Sequence, residues 1–223
     1  MNPIEIFLDC FRRALEHVHN DYYGLHWWNE SMLNAVMGSV DNEERAVIQN
    51  YLDRYGERVF CYELYHQVRS LMENHSIEFP ETFQHVKLQS ELKKDYINEI
   101  VQNFYGVAAL DREYIPDFLL HTPGNFQNQH LIIEVKSNPN ISFAGMIDDL
   151  LKIQQFISRY QYQRGIFLTV NTNPNRIRNI LNQENNRLWL RQNINDPNRI
   201  HILCKKKNDV DLYETTISEI LNF

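Results

Sequence analysis

The sequence predicts an α/β protein: a mixed β-sheet flanked by helices, with an αβββαβ core and an N-terminal helical extension. Apolar residues recur at helical spacing in three segments before residue 75, and short β-rich apolar runs then alternate with helical ones up to residue 205. With 43% hydrophobic residues, 12 Tyr and 12 Phe, the chain has ample material for a buried core, which excludes a disordered polypeptide.

Taken in order, Pro3 to about Tyr23 predicts an amphipathic helix, with Ile4, Phe7, Leu8, Phe11, Ala14, Leu15 and Val18 on one face and Asn2 before Pro3 as its start. Residues 24–40 have no clear order. Asp41 with Glu44 predicts a capping box that opens a helix over about 41–55, and Gly56 reads as its break. A third helix is expected from Glu57 to about Asn74. Strands follow over Phe83–Leu92, Tyr114–Leu120 and His130–Ser137, with a short helix over Ile97–Val107. His121-Thr122-Pro123-Gly124-Asn125 turns the chain between the second and third strands. A helix over Phe143–Tyr160, a buried strand over Gly165–Asn171, a helix from Asn173-Pro174 to about Gln192 and a strand over Ile200–Lys205 complete the core, and 211–223 reads as a short helix. The division expected is a helical extension over 1–56 and a core domain over 57–223.

The net charge is −7, whereas a free-standing nucleic-acid binder is usually basic. A nucleic-acid role therefore requires a locally basic cleft or a partner subunit. Cys10, Cys61 and Cys204 are isolated and odd in number, so neither a disulfide framework nor a zinc site is expected. The N-terminus lacks a basic stretch followed by an apolar core, and no apolar run approaches the roughly 20 residues of a membrane span, so a cytoplasmic protein without membrane contact is expected.

The chemistry concentrates in His130-Leu131-Ile132-Ile133-Glu134-Val135-Lys136. Strand side chains alternate between faces, so Glu134 and Lys136 share one face in an apolar strand, where a charge is costly unless paired or bound to a metal. The preceding strand, Ile115-Pro116-Asp117-Phe118-Leu119-Leu120, carries one carboxylate in an apolar run. Pro116 cannot donate to a ladder and implies an edge or bulge before Asp117. Adjacent carboxylates repel unless a cation lies between them. Mg²⁺ takes oxygen ligands, commonly one or two carboxylates plus substrate phosphate. Asp117, Glu134 and the Val135 carbonyl form such a set for Mg²⁺, or Mn²⁺ in its place, with Lys136 beside it to bind phosphate or position a water.

Pro116-Asp117, a gap of 16 residues, and Glu134-Val135-Lys136 resemble the PD-(D/E)xK superfamily of restriction-endonuclease-like nucleases, over about residues 57–205. The resemblance implies metal-dependent hydrolysis of phosphodiester bonds, with DNA the expected substrate, in restriction, repair or defence. It also implies a glutamate on the first core helix, for which Glu63 is the match, and a polar residue on the helix after the third strand, from Lys152, Gln154 or Gln155. The expected catalytic set is Glu63, Asp117, Glu134 and Lys136. The alternative is an inactive nuclease-like subunit that binds nucleic acid or serves assembly, and the N-terminal helices suit a homodimer or partner contact. Arg176, Arg178, Arg187 and Arg191 form the densest basic stripe, more often solvated than phosphate-binding. Trp27-Trp28 more often builds a core or a partner interface than stacks on bases.

Overall fold

The computed structural model describes residues 2–23, 30–91, 106, 108–124, 129–206 and 212–222. Trp27-Trp28 and, apart from Gly106, the helix expected over 97–107 lie outside them. The protein is α/β, with a six-stranded mixed open sheet between two helical layers.

Helix α1 spans Pro3–His17, and Asn2 caps it by accepting from the Ile4 N–H at 3.0 Å. The helix stops short of the expected Tyr23, because Val18 turns away and Asn20–Tyr23 tighten into a 3₁₀ turn. Helices α2 (Glu30–Ser39) and α3 (Asn42–Glu78) follow. Asp41 accepts from the Glu43 and Glu44 N–H groups while Glu44 reaches back to the Asp41 N–H, the expected capping box.

The break expected at Gly56 does not occur: α3 continues through it for 37 residues, about 55 Å. A glycine inside a helix costs only about 1 kcal/mol. Leu52 before it, and Phe60, Leu64 and Val68 after it, are buried and offset that cost. The boundary drawn at residue 56 therefore falls inside one helix. Phe7, Phe11 and Leu15 of α1 share one apolar cluster with Phe60 and Leu64 of α3 and with Leu131 and Ile133 of the sheet, so α1 belongs to the sheet's own packing layer.

The strands are β1 (Lys87–Ser90), β2 (Phe118–His121), β3 (Gln129–Lys136), β4 (Arg164–Val170), β5 (Ile200–Lys205) and β6 (Leu212–Thr216), adjacent in that order. The first three pair antiparallel, β3, β4 and β5 are parallel, and β6 returns antiparallel. Helix α4 (Phe143–Arg159) makes the crossover from β3 to β4 that a parallel pair requires. Its Ile153 packs so closely on β4 that a Cβ on Gly165 would lie 2.0 Å from Ile153 Cγ2.

The helix expected over 173–192 is two, α5 (Pro174–Asn182) and α6 (Glu184–Asn193), because Gln183 adopts an extended conformation between them. The tail expected to be helical forms β6 and then a short helix, α7 (Ile217–Leu221), opened by a Thr216–Glu219 capping box. Helices α4 to α7 and the second face of the sheet enclose the other apolar cluster, around Ile132, Ile153, Phe156, Phe167 and Ile202. Cys10, Cys61 and Cys204 are buried, and the Cys204 thiol donates to the Thr172 carbonyl at 3.1 Å. Among the described residues no helix is long and apolar enough to cross a membrane.

Candidate functional site

Strand β3 is buried over seven of its eight residues, as expected for a central strand covered on both faces. Leu131, Ile133 and Val135 pack toward α1 and α3, whereas Ile132 packs toward α4. By alternation Glu134 and Lys136 face α4, and α4 answers with charged residues: Lys152 donates to Glu134 Oε2 at 2.6 Å, and Asp149 pairs with Lys136 at 3.2 Å. The register that sets Phe118 opposite Ile133 continues to put Asp117 opposite Glu134, and Asp117 Oδ2 accepts from the Val135 N–H at 2.7 Å. The two carboxylates expected to converge lie side by side at the C-terminal end of β3, the end of a parallel strand where open α/β sheets bind ligands. The one register shift in this strand pair lies between Leu120 and His121, beyond Asp117 rather than before it.

A fourth carboxylate arrives from the opposite helical layer. Glu57 on α3 accepts from Lys136 Nζ and from the Ser137 N–H, each at 3.4 Å. The result is an alternating chain, Glu57–Lys136–Asp149–Lys152–Glu134, in which Asp149 and Lys152 meet at 3.3 Å, with Asp117 beside it. Four carboxylates, Glu57, Asp117, Glu134 and Asp149, face two ammonium groups, so the fully ionised cluster carries −2.

This shortfall of positive charge appears in the protonation equilibria. Burial, then the neighbouring Asp117 carboxylate, drives the Glu134 carboxyl well above the ordinary range, against the pull of Lys152. Burial raises Asp117 too, against Lys136 and the Val135 N–H. Glu57 is pushed up to about 7, by burial first and Asp117 second, with Lys136 opposing. For Lys136 burial works downward, but Asp149, Glu57, Asp117 and Glu134 together outweigh it and hold the ammonium above its ordinary value. Cys61, one turn beyond Glu57, has its thiol raised by burial and by Asp117 and Glu57, which makes it a poor nucleophile.

Among the described residues Glu134 Oε1 is buried without a hydrogen-bond partner. A carboxylate oxygen withdrawn from water and left unpaired is costly. This oxygen, the adjacent Asp117 and a net charge of −2 match what one hard divalent cation requires. Among the described residues no three His, Cys, Asp or Glu side chains converge as a metal group, so a third ligand would come from the main chain or solvent. The Val135 N–H donates to Asp117 Oδ2, which fixes that carboxylate against the end of β3.

Asp117, Glu134 and Lys136 thus come together as expected, and Glu63 does not join them. It accepts from Gln67 Nε2 at 2.6 Å on its own helix. The α3 glutamate that reaches the cluster is Glu57, six residues earlier and about 120° away around the helix. Its signal was present: Glu57, Cys61, Leu64 and Val68 follow the i, i+4, i+7, i+11 stripe, and the last three are buried. Of the three candidates on α4, Lys152 reaches the cluster. Gln154 instead bonds Asp196 and two main-chain N–H groups, and Gln155 bonds Asp111 and Tyr114. The arginine stripe is structural: Arg176 ties down the Ile141 and Asn140 carbonyls, Arg187 and Arg191 bond the Leu221 carbonyl, and Arg178 lies over the Tyr213 ring. Compared with protein-family models, with curated proteins and with solved structures, the chain finds a match in none of the three.

Proposed function

We propose that the protein is a metal-dependent nuclease of the restriction-endonuclease-like kind, hydrolysing phosphodiester bonds in DNA within the cytoplasm. The observation that carries this reading is the unpaired, buried Glu134 Oε1 beside Asp117, with Lys136 on the same strand face. The element order helps it: one helix, three antiparallel strands, a crossover helix and a parallel strand, with Asp117 entering the second strand and Glu134 ending the third.

Asp117 and Glu134 would hold one Mg²⁺ or Mn²⁺, with the Val135 main chain alongside. When bound, the ion supplies Lewis-acid stabilisation of the charge that develops on the phosphate. Lys136, kept protonated by Asp149 and Glu57, donates to a phosphate oxygen and fixes the scissile group. Glu57 is poised near neutrality and accepts the proton of the attacking water as the new P–O bond forms; the P–O bond to the sugar breaks, and the departing sugar oxygen takes a proton from solvent. Lys152 holds Glu134 in place and balances its charge.

A nuclease-like subunit without chemistry has one observation in its favour: Lys152 already occupies Glu134 Oε2. The two readings separate in a cleavage assay on single- and double-stranded DNA and RNA with Mg²⁺ or Mn²⁺, run beside Lys136→Ala. The nuclease reading expects cleavage that EDTA stops and that the variant loses by at least about a hundredfold. Equal cleavage by wild type and variant, or none by either, rejects it.

A further inference from the structure

The wall next to the cluster has a character that cleavage alone does not need. A cavity of about 790 Å³ is lined by Tyr51, Tyr55, Glu57 and Cys61 of α3 and by Ile115 and Asp117 just before β2. That is room for more than the reacting phosphate. Tyr51 is 61% exposed and Tyr55 40%, and their rings lie within 20° of parallel with centroids 6.3 Å apart. They sit at i and i+4 on α3, the helix that carries Glu57 two residues further on. Two exposed aromatic rings, stacked nearly parallel, therefore line the cavity that reaches the carboxylates.

The charge of this wall selects what can lie on it. Among the described residues, Glu57, Glu91 and Asp117 line it, and the one cation in the lining, Arg58, is paired to Glu91 at 3.3 Å. A duplex presents its phosphates outward and would meet this acidic surface with like charge. An unpaired strand can turn its neutral base faces toward the tyrosines and its phosphates away, and base–aromatic stacking tolerates any sequence. A second copy of the chain is disfavoured for the same reason, since a self-complementary contact would bring two acidic walls together.

We infer that the nuclease acts on unpaired DNA, with bases flanking the scissile phosphate stacked on Tyr51 and Tyr55. The inference rests on the proposed nuclease reading and adds the strand state of its substrate. It is tested by fluorescence anisotropy with a labelled 12-residue DNA strand, its duplex, an abasic strand of equal length and the matching RNA strand, with Ca²⁺ present. The expected result is at least tenfold tighter binding of the DNA strand than of the duplex or the abasic strand. Tyr51→Ala and Tyr55→Ala each weaken strand binding by about five- to a hundredfold, and Tyr51→Phe keeps it within about twofold. The RNA strand binding alongside the DNA strand supports the same stacking. Duplex or abasic strand binding as tightly as the DNA strand, or alanine variants that bind unchanged, overturns the inference. So does sedimentation in which Tyr51→Ala dissociates a dimer without altering strand binding. Calorimetric titration of the same protein with Mn²⁺ separates the two failures. Metal binding with no contribution from the tyrosines defeats this inference alone, whereas absence of both metal binding and cleavage defeats the nuclease reading.

Discussion

Lys152 donates to Glu134 Oε2 at 2.6 Å, while Oε1 of the same carboxylate is buried with no partner among the described residues. One side of Glu134 is therefore balanced by the protein, and the other is left for a cation. Removing the ammonium leaves a carboxylate that is 2% exposed without its counter-charge. Lys152→Met is expected to destabilise the metal-free protein by about 3 kcal/mol at pH 8, read from the urea midpoint. The loss shrinks as pH falls, because the raised Glu134 carboxyl takes up a proton and then no longer needs the partner. An unchanged midpoint at pH 8 would show that the pair carries no such weight.

Glu57 and Glu63 lie on the same helix and differ only in the face they occupy. Glu57→Gln is expected to lower the cleavage rate at pH 7 by about a hundredfold, the scale of a lost general base. Glu63→Gln is expected to stay within about twofold, because its partner is Gln67. The reverse ranking in single-turnover kinetics would return the helix carboxylate to the position first expected from the sequence.

Glu57 also sets a pH dependence. Its carboxyl is pushed from an ordinary 4.5 up to about 7, so the folded protein holds a proton that the unfolded chain has released. Stability from this group is fully present below about pH 4.5 and is lost as pH rises through about 7. The metal-free protein is expected to lose up to about 3 kcal/mol through Glu57 between pH 4.5 and 8. Glu134 and Asp117 shift in the same direction, so the comparison with Glu57→Gln isolates the Glu57 share. Parallel stability curves for the two proteins would refute it.

Gly165 tests the fold independently of the site. The group in its way is the β-branched methyl of Ile153 rather than the end of a flexible chain, so α4 has to move off the sheet to admit a methyl group. Gly165→Ala is expected to cost about 1–3 kcal/mol. Thermal unfolding measures it, and Ile153→Val in the same protein recovers little, because the crowding carbon persists in valine. A neutral Gly165→Ala would mean that the crossover helix packs more loosely than described.

The parts of this protein legible in the sequence are those where one local rule dominates. Strand β3 announced itself because an apolar run with Glu134 and Lys136 two residues apart fits only a buried strand with a charged end. The Asp41–Glu44 capping box was readable because both of its bonds are local. What was missed depends on tertiary contacts. Gly56 reads as a stop until Leu52 and Phe60 are known to be buried on either side of it. That false stop puts Glu57 at a helix terminus, whereas Glu63 is the match the resemblance implies on the first core helix. Leu212–Thr216 is a strand because β5 offers it an edge, which the 211–223 segment alone does not reveal. Lys152 is one of three candidates the resemblance offers on its helix, but the role of Asp149 is hidden, because it sits 13 residues beyond Lys136 and only the crossover brings it back to β3.

Thermal unfolding in the presence of Mn²⁺ or Mg²⁺ tests the central claim most directly. A cation bound by Asp117 and Glu134 in the folded state alone stabilises it by mass action, about 2.7 kcal/mol at a hundredfold excess over the dissociation constant. The wild-type Tm is expected to climb with metal concentration and to do so more steeply at pH 8 than at pH 5, where protons compete for Glu134 and Asp117. Asp117→Ala and Glu134→Gln should each abolish the climb while remaining folded. A Tm that ignores metal in the wild type, or that climbs equally in both variants, contradicts the account.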